Sequence, residues 1–484
     1  MGDKRHYFQQ VLAGNGIEVS PNQLLKLDAF VNSPECADAL NEIFEIQDQL
    51  MNKWELKNKV DTVISQHVLI PNGTVGKPYQ LQVDLRQWNL NEIVDYDFTG
   101  LEEIGLSFDK SENLISGIPA KSGDLKFKFL FKVESEDPEI DHHEKLFPLI
   151  INPDPKSLWK DIPSDQSLPF SKPDDVTVFE KMGSKHIVVS SKRGRSHKNI
   201  GSFREDDFAF KHFETTGWSV IAVSDGAGSC SLSRKGSAIA CSSAIEYFIQ
   251  DAETEHSREF ENLLADYNSC KTEETLKKIK GLGKKILYKA TVHVHNSIKK
   301  HAKETYENHI EWFDNPKAKS YLDYYHSTLL LTLLKKFDFG YVVLTFGVGD
   351  CPIAIMNADQ SEATLLNWLD VGEFGGGTRF ITQPEIFQSN EHKMETRFNC
   401  KIVDDFSFLF LMTDGIYDPK FVVEANLVKT EKWKEFVSDL QGENADNIGV
   451  DFDPDNGAIA TQLAHWMDFW SQGNHDDRTL AVIF

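Results

Sequence analysis

The spacing of apolar residues changes character along the chain, and each change predicts a different kind of element. Over residues 1–66 the spacing is helical. Ala37, Leu40, Phe44, Met51 and Trp54, with Gln47 among them, fall on one face of a helix. Ser20-Pro21 and Ser33-Pro34 each offer an N-cap followed by a proline at the first helical position. The first pair leads into Leu24, Leu25, Leu27 and Phe30.

Over residues 67–152 the period drops to two. Leu125, Phe127, Phe129 and Phe131 alternate with Lys126 and Lys128, as in a half-buried strand. Turns are marked by Asn72-Gly73, Lys121-Ser122-Gly123 and Pro138. The pattern predicts a small all-β sandwich. Residues 153–175 set Pro153, Pro155, Pro163, Pro169 and Pro173 among Asp and Ser, and read as a partly extended linker.

From residue 176 to 484 short apolar runs alternate with long helical stretches. Strands are predicted at 218–223, 327–335, 341–347, 353–356, 406–412 and 479–484. Helices are predicted at 234–249 and over most of 258–303, where Leu282, Ile286, Ala290 and Val294 recur every four residues. This order suggests two sheets with helices packed outside them.

Five acidic motifs stand in this region, four of them beside such runs: Arg204-Glu205-Asp206-Asp207, Ser224-Asp225-Gly226-Ala227-Gly228, Gly347-Val348-Gly349-Asp350, Thr413-Asp414-Gly415-Ile416-Tyr417-Asp418 and His475-Asp476-Asp477. Carboxylates gathered at strand ends repel one another unless a counter-charge is present. Hard divalent cations, which prefer oxygen ligands, supply one. Hydrolysis of a phosphate monoester needs such a centre, because the spontaneous reaction is among the slowest known. Paired cations activate a water and clamp the phosphoryl oxygens. Singly, each Asp-Gly is equally consistent with an ordinary turn.

Composition narrows the partners. A formal net charge of −24 disfavours nucleic acid and anionic membranes. No apolar run approaches the length of a membrane span, and residues 1–15 lack the apolar stretch of a signal peptide. Six scattered cysteines without disulfide-like or CxxC spacing read as reduced cytoplasmic thiols and argue against a Cys/His zinc site. Cys230 and Cys351 lie near the motifs and read as packing groups, as do His293 and His295 within a helix.

The motifs in their order resemble the PPM-type, or type-2C, metal-dependent serine/threonine protein phosphatases. They run Glu205-Asp206, Val223 to Gly228, His326-Ser327-Thr328, Gly349-Asp350, Met412 to Asp418 and Asp476 to Val482. Ser196-His197 and Gly372-Glu373-Phe374 with Thr378 look closest to a bacterial branch. The resemblance implies an α+β fold, a four-layer α/β/β/α sandwich with metals at one end between two antiparallel sheets. Asp225 would bridge two metals, and Asp414 and Asp476 would complete the first site. Glu205 and the Gly226 carbonyl would serve the second, and Asp206 would hold metal-associated water. Asp350 and Asp418 match acidic positions for a weaker third ion. Mn²⁺ or Mg²⁺ are the expected cofactors. A phosphoprotein is the expected substrate, with a cognate protein kinase acting in the same signalling pathway.

The chain departs from the family's pattern at three places. Ala227 stands where some members carry a histidine proposed as general acid, and Ser229 replaces a glycine. Gly201 occupies the place of a phosphate-binding arginine, so His197, Arg195 and Arg204 become candidates for that role, with Arg193 beside them. The segment from Gly105 to Pro119 resembles Ig-like repeats of bacterial multidomain proteins, which implies that residues 1–152 form a protein-interaction module. The rival expectation is a catalytically silent phosphopeptide-binding adaptor on the same scaffold, which loss of metal ligands would favour.

Overall fold

A computed structural model describes residues 4–251, 255–269, 271–370, 377–388 and 393–484. The chain divides into two compact units, Met1–Leu158 and Trp159–Phe484.

The first unit begins with helices Lys4–Gly14, Leu24–Val31 and Pro34–Ser65. Pro21 opens a single 3₁₀ turn, and the Ser20 N–H donates to Gln23 Oε1 at 3.0 Å. The long helix uses its apolar stripe only near its ends. Leu40 packs with Leu27 and Val31, and Val60 and Val63 join a β core. Between those cores Met51 and Trp54 are 52% and 60% exposed, so the predicted face is not buried throughout. Lys145 closes the helix: its Nζ donates to the carbonyls of Val63 at 2.7 Å and Ile64 at 2.9 Å.

A four-stranded sheet (Gly73–Thr74, His143–Asn152, Gly123–Val133, Ile93–Thr99) and a three-stranded one (Tyr79–Gln82, Leu114–Gly117, Leu106–Asp109) follow. Phe127, Phe129 and Phe131 all point into the core they share, with Phe98, Phe147 and Ile115. The alternation along this strand buries every second side chain, as its period requires.

The second unit contains two larger sheets. One has five strands in the order Asp207–Phe213, Trp218–Ser224, Leu329–Phe337, Gly340–Val348, Phe398–Val403. The other has six: Ala363–Leu365, Ile353–Asn357, Phe406–Met412, Arg478–Ile483, Lys185–Lys192, Asp175–Met182. Every pairing in both is antiparallel.

Continuous apolar runs mark strands buried on both faces. Ile221, Val223, Leu330 and Val343 meet Val189, Ile355, Leu409 and Ala481 of the other sheet in one core. Their neighbours Val220, Ala222, Leu331 and Leu344 face the opposite way, against helices Ser233–Asp251, Glu255–Ser269 and Glu273–Asn308. On the far side Val188, Phe410 and Val482 pack with Trp433, Phe436 and Leu463 from helices Thr430–Leu440 and Ile459–Trp466. The helical stretch predicted over 258–303 is two helices, and Thr272 starts the second by accepting the Thr275 N–H on Oγ1 at 3.2 Å.

Residues 159–175, expected as linker, instead pack on the second unit. Phe170 joins its helix-facing core. Asp161 and Asp174 each pair with Arg193 at 3.2 Å. Lys172 Nζ donates to the Asp206 carbonyl at 2.7 Å and to Asp207 Oδ2 at 3.0 Å. A proline-rich stretch has few backbone donors, so its side chains make the contacts.

Candidate metal centre

Register decides where the acids meet. Asp207 pairs with Ser224, so Glu205-Asp206 and Asp225 emerge at the same end of the five-stranded sheet. Leu329 pairs with Val348, which brings Gly349-Asp350 beside Thr328 at that end. In the other sheet Met412 pairs with Leu480, and Arg478 with Lys192. That sets Asp414, Asp476 and Gly194 together.

The Asp225 loop is fixed by the strand lead-in opposite. Thr328 N–H donates to the Asp225 carbonyl at 2.8 Å, and Asp225 N–H donates to Thr328 Oγ1 at 2.9 Å. Gly226 bridges to Ser327. A Cβ on Gly226 would stand 2.7 Å from the Glu205 carbonyl oxygen, so only glycine permits this approach.

Asp206 is fully buried, and its Oδ2 accepts from Thr413 Oγ1 at 2.8 Å and Thr479 Oγ1 at 2.7 Å. Its Oδ1 has no partner among the described residues. Glu205 accepts from the Ser233 hydroxyl. Asp350 Oδ2 accepts from Thr378 Oγ1 at 2.7 Å, and Asp418 Oδ2 from Asn474 Nδ2 at 3.3 Å. Gly372-Glu373-Phe374 lie outside the described residues.

Charge repulsion is written into these carboxyls. Burial and then Asp414, Asp206, Asp476 and Asp350 hold Asp225 well above the usual range. Burial and then Asp476, Asp350, Asp206 and Asp418 do the same to Asp414. Burial also raises Asp206, Asp350, Asp418 and Asp476, and pushes Glu205 up to about 7. The strongest charged neighbours of Glu205 are His197, Asp477 and Arg234. The all-oxygen donor set, the repulsion and the free oxygen of Asp206 fit hard divalent cations. The buried Cys351 lies within 4.8 Å of Asp225 and Asp350, and burial pushes its thiol well up, which keeps it protonated.

Asp477 is the residue that the motifs under-read. It is 2% exposed, and it accepts from Gly194 N–H at 2.6 Å, Glu205 N–H at 2.5 Å and His197 Nδ1 at 2.9 Å. Burial opposes its charge, but the His197 hydrogen bond and charge hold its carboxyl below the ordinary range. For His197 burial favours the neutral ring, yet Asp477 raises it to about 9. Its place beside Asp476 was the available signal.

The arginines are engaged by the protein itself. Arg195 donates to the carbonyls of Phe469 at 3.0 Å and Asp468 at 2.6 Å. Arg204 is 2% exposed and donates to the Ser191 hydroxyl and the Pro173 carbonyl. Arg193 donates to the Ser202 carbonyl as well as pairing with Asp161 and Asp174. Gly201 ends the helix Arg195–Ile200 at φ +72°, and a Cβ there would meet Ile162 at 2.9 Å. A left-handed C-cap therefore occupies the arginine's place.

The family model for protein phosphatase 2C matches residues 193–468, more than half of the chain. The chain belongs to the protein phosphatase 2C family. It is a metal-dependent protein serine/threonine phosphatase.

Solved structures to which the chain is similar include the serine/threonine phosphatase Stp1 from Staphylococcus aureus, at 15% identity and TM-score 0.33, covering 63% of this chain and 96% of that one. The catalytic domain of the serine threonine protein phosphatase PstP, in complex with two manganese ions, is 13% identical with TM-score 0.32, covering 64% and 98%. A bacterial serine phosphatase is 14% identical with TM-score 0.30, covering 61% and 96%. No curated protein matches. Among the described residues no helix is long and apolar enough to cross a membrane.

Proposed function

We propose that the chain hydrolyses phosphoserine and phosphothreonine esters at a dinuclear metal centre held by Glu205, Asp225, the Gly226 carbonyl, Asp414 and Asp476. The carrying observation is the convergence of these groups, from separate strand ends, with carboxyls raised by mutual repulsion and burial. Mn²⁺ or Mg²⁺ bound there supply an activated water and neutralise phosphoryl charge. Asp225 would serve both ions, and Asp414 with Asp476 would complete the first site. Asp206, oriented by Thr413 and Thr479, offers Oδ1 to a proton of water at the centre. Asp350 and Asp418 would hold a third, weaker ion.

His197, fixed through Nδ1 by Asp477, which raises it to about 9 against burial, would present Nε2 to a phosphoryl oxygen. Arg195 and Arg204 anchor the surrounding loops rather than the phosphate. A silent phosphopeptide-binding adaptor is not favoured, because every ligand side chain is present.

The three packed cores support a four-layer α/β/β/α reading of the second unit. The two small sheets of the first unit support an Ig-like interaction module. A cytoplasmic signalling role, opposite a cognate kinase and of bacterial type, completes the reading. The test is phosphate release from phosphoserine and phosphothreonine peptides and from an aryl phosphate, with Mn²⁺, Mg²⁺ or chelator. Turnover restored by metal supports it. Turnover unaffected by chelator, or absent with both ions on all substrates, overturns it.

A further inference from the structure

Two adjoining cavities lie beside the loop that follows Asp225-Gly226. The nearer, of about 280 Å³, is lined by Ser229, Cys230, Lys317, Asp323 and His326. The farther, of about 500 Å³, shares Lys317, Asp323 and His326 and extends to Lys299 and Lys319. They form one groove. Its inner wall is the segment that fixes the metal loop: the His326 carbonyl accepts Ala227 N–H at 3.0 Å, two residues before Thr328 meets Asp225. His326 is itself held by Thr382 at 2.6 Å and stacks on Phe380 at 4.7 Å, so the wall is built from both sides.

Charge in the groove runs against the rest of the molecule. Lys299, Lys317 and Lys319 line it, and none of the three lies within 4.0 Å of a carboxylate oxygen among the described residues. Two carboxylates, Asp323 and Glu385, also line it. Asp323 is held in place, since Oδ2 accepts the N–H groups of Lys319 at 2.8 Å and Ser320 at 3.3 Å and Oδ1 lies 3.9 Å from His326 Nε2, but it keeps its charge. In a chain of net charge −24, three lysines against two carboxylates in a groove that reaches Ser229-Cys230, just after the Asp225 loop, are a local reversal of sign. Such a patch raises the local concentration of an anionic segment and orients it.

We propose that this groove binds acidic side chains flanking the phosphorylated residue of a substrate protein, so that Lys299, Lys317 and Lys319 set which phosphosites are selected. Anionic charge is the recognised chemistry, and either carboxylates or a second phosphate can supply it. The inference rests on the catalytic reading above for where the scissile phosphate sits, but the groove can be tested apart from it.

The experiment compares kcat/KM of the full chain with Mn²⁺ on phosphopeptides with Asp/Glu, doubly phosphorylated, Ser or Lys flanks. In parallel, anisotropy of the same fluorescent peptides is read on the metal-free protein in chelator. The variants are Lys299→Glu/Lys317→Glu/Lys319→Glu and the matching triple arginine substitution. Wild type is expected to favour anionic over neutral flanks by about tenfold, since each exposed pair contributes a factor of roughly 1.5 to 5. The glutamate variant should lose or invert that preference in both assays and leave aryl phosphate turnover unchanged, while the arginine variant keeps it. Equal gains from acidic and doubly phosphorylated flanks indicate recognition of charge. A gain from only one of them narrows the recognised anion to that source. No flank preference in wild type, or a preference that survives the glutamate variant, overturns the proposal. Loss of aryl phosphate turnover in wild type would strike the catalytic reading instead, with the anisotropy still deciding the groove.

Discussion

The carboxylate of Asp477 accepts the backbone N–H of Glu205 at 2.5 Å, joining the last strand's lead-in to the acidic pair 272 residues earlier. The same carboxylate holds Gly194 and His197. Asp477 acts by fixing the distance between Glu205 and its own neighbour Asp476, which are proposed ligands of different ions.

Asp477→Ala is therefore expected to leave three donors in a buried site without their acceptor. Each such donor costs about 1–3 kcal/mol. The melting temperature should fall, and Mn²⁺ affinity should weaken roughly 10–100-fold, as for other residues that orient ligands. Calorimetric titration of metal into a folded variant checks this. Wild-type affinity would show that Glu205 is placed without Asp477.

Asp225→Asn and Asp414→Asn should separate stability from activity. Each removes charge needed by a dication, so hydrolysis should drop by at least about 10²-fold. Each also removes a repelled, partly buried carboxylate from the metal-free protein. At pH 8 the metal-free variants should melt higher than wild type by roughly 2–4 °C per kcal/mol relieved. A lower melting point in chelator would contradict the repulsion.

The pH dependence follows with a definite sign. Glu205 is raised from 4.5 to about 7, and Asp225 and Asp414 are raised further by burial and their acidic neighbours. A carboxyl raised on folding contributes stability that is full below its unfolded value and lost as pH rises through its folded one. The metal-free protein should thus lose stability from these groups between about pH 4.5 and 7 and beyond. Saturating Mn²⁺ should remove most of that loss. Melting curves at pH 5 and pH 8, with and without metal, decide it, and a metal-independent slope would refute it.

Ala227 offers no proton to a leaving alkoxide, so aryl phosphates should outpace alkyl phosphates strongly. Ala227→His should narrow that ratio, because a general acid helps the poorer leaving group. An unchanged ratio in an active variant would mean that protonation does not limit the rate.

A chain truncated to begin at Trp159 should fold and hydrolyse an aryl phosphate near the full-length rate. One beginning at Asp174 should be less stable, because it lacks Lys172 under Asp206 and Asp161 against Arg193. Denaturation and turnover of both check this. Equal stability would make residues 159–173 a passive tail.

Much of the centre was legible along the chain because most of the acids adjoin an apolar run that reads as a strand, Asp225, Asp350 and Asp414 after one and Asp476 before one. A strand end puts a side chain at a sheet edge whatever its partners are. The runs at 218–223, 341–347 and 406–412 carry that information locally, and glycine after Asp225 and Asp414 reports close backbone approach. The partner of each acid was not legible. The bond from His197 to Asp477 spans 280 residues, and Lys172 reaches Asp206 across 34 from a segment whose prolines suggested a linker. Three arginines near the motif looked equally suited to phosphate, yet folding turned their donors onto carbonyls, a hydroxyl and carboxylates. The stripe through Met51 and Trp54 has helical period, but the helix outruns the two cores it touches. Period and strand-end position are fixed by neighbours in sequence, since local backbone geometry sets them. Which donor meets which carboxylate is fixed only when distant strands come into register, because a hydrogen bond depends on ångström-scale placement that no local pattern encodes.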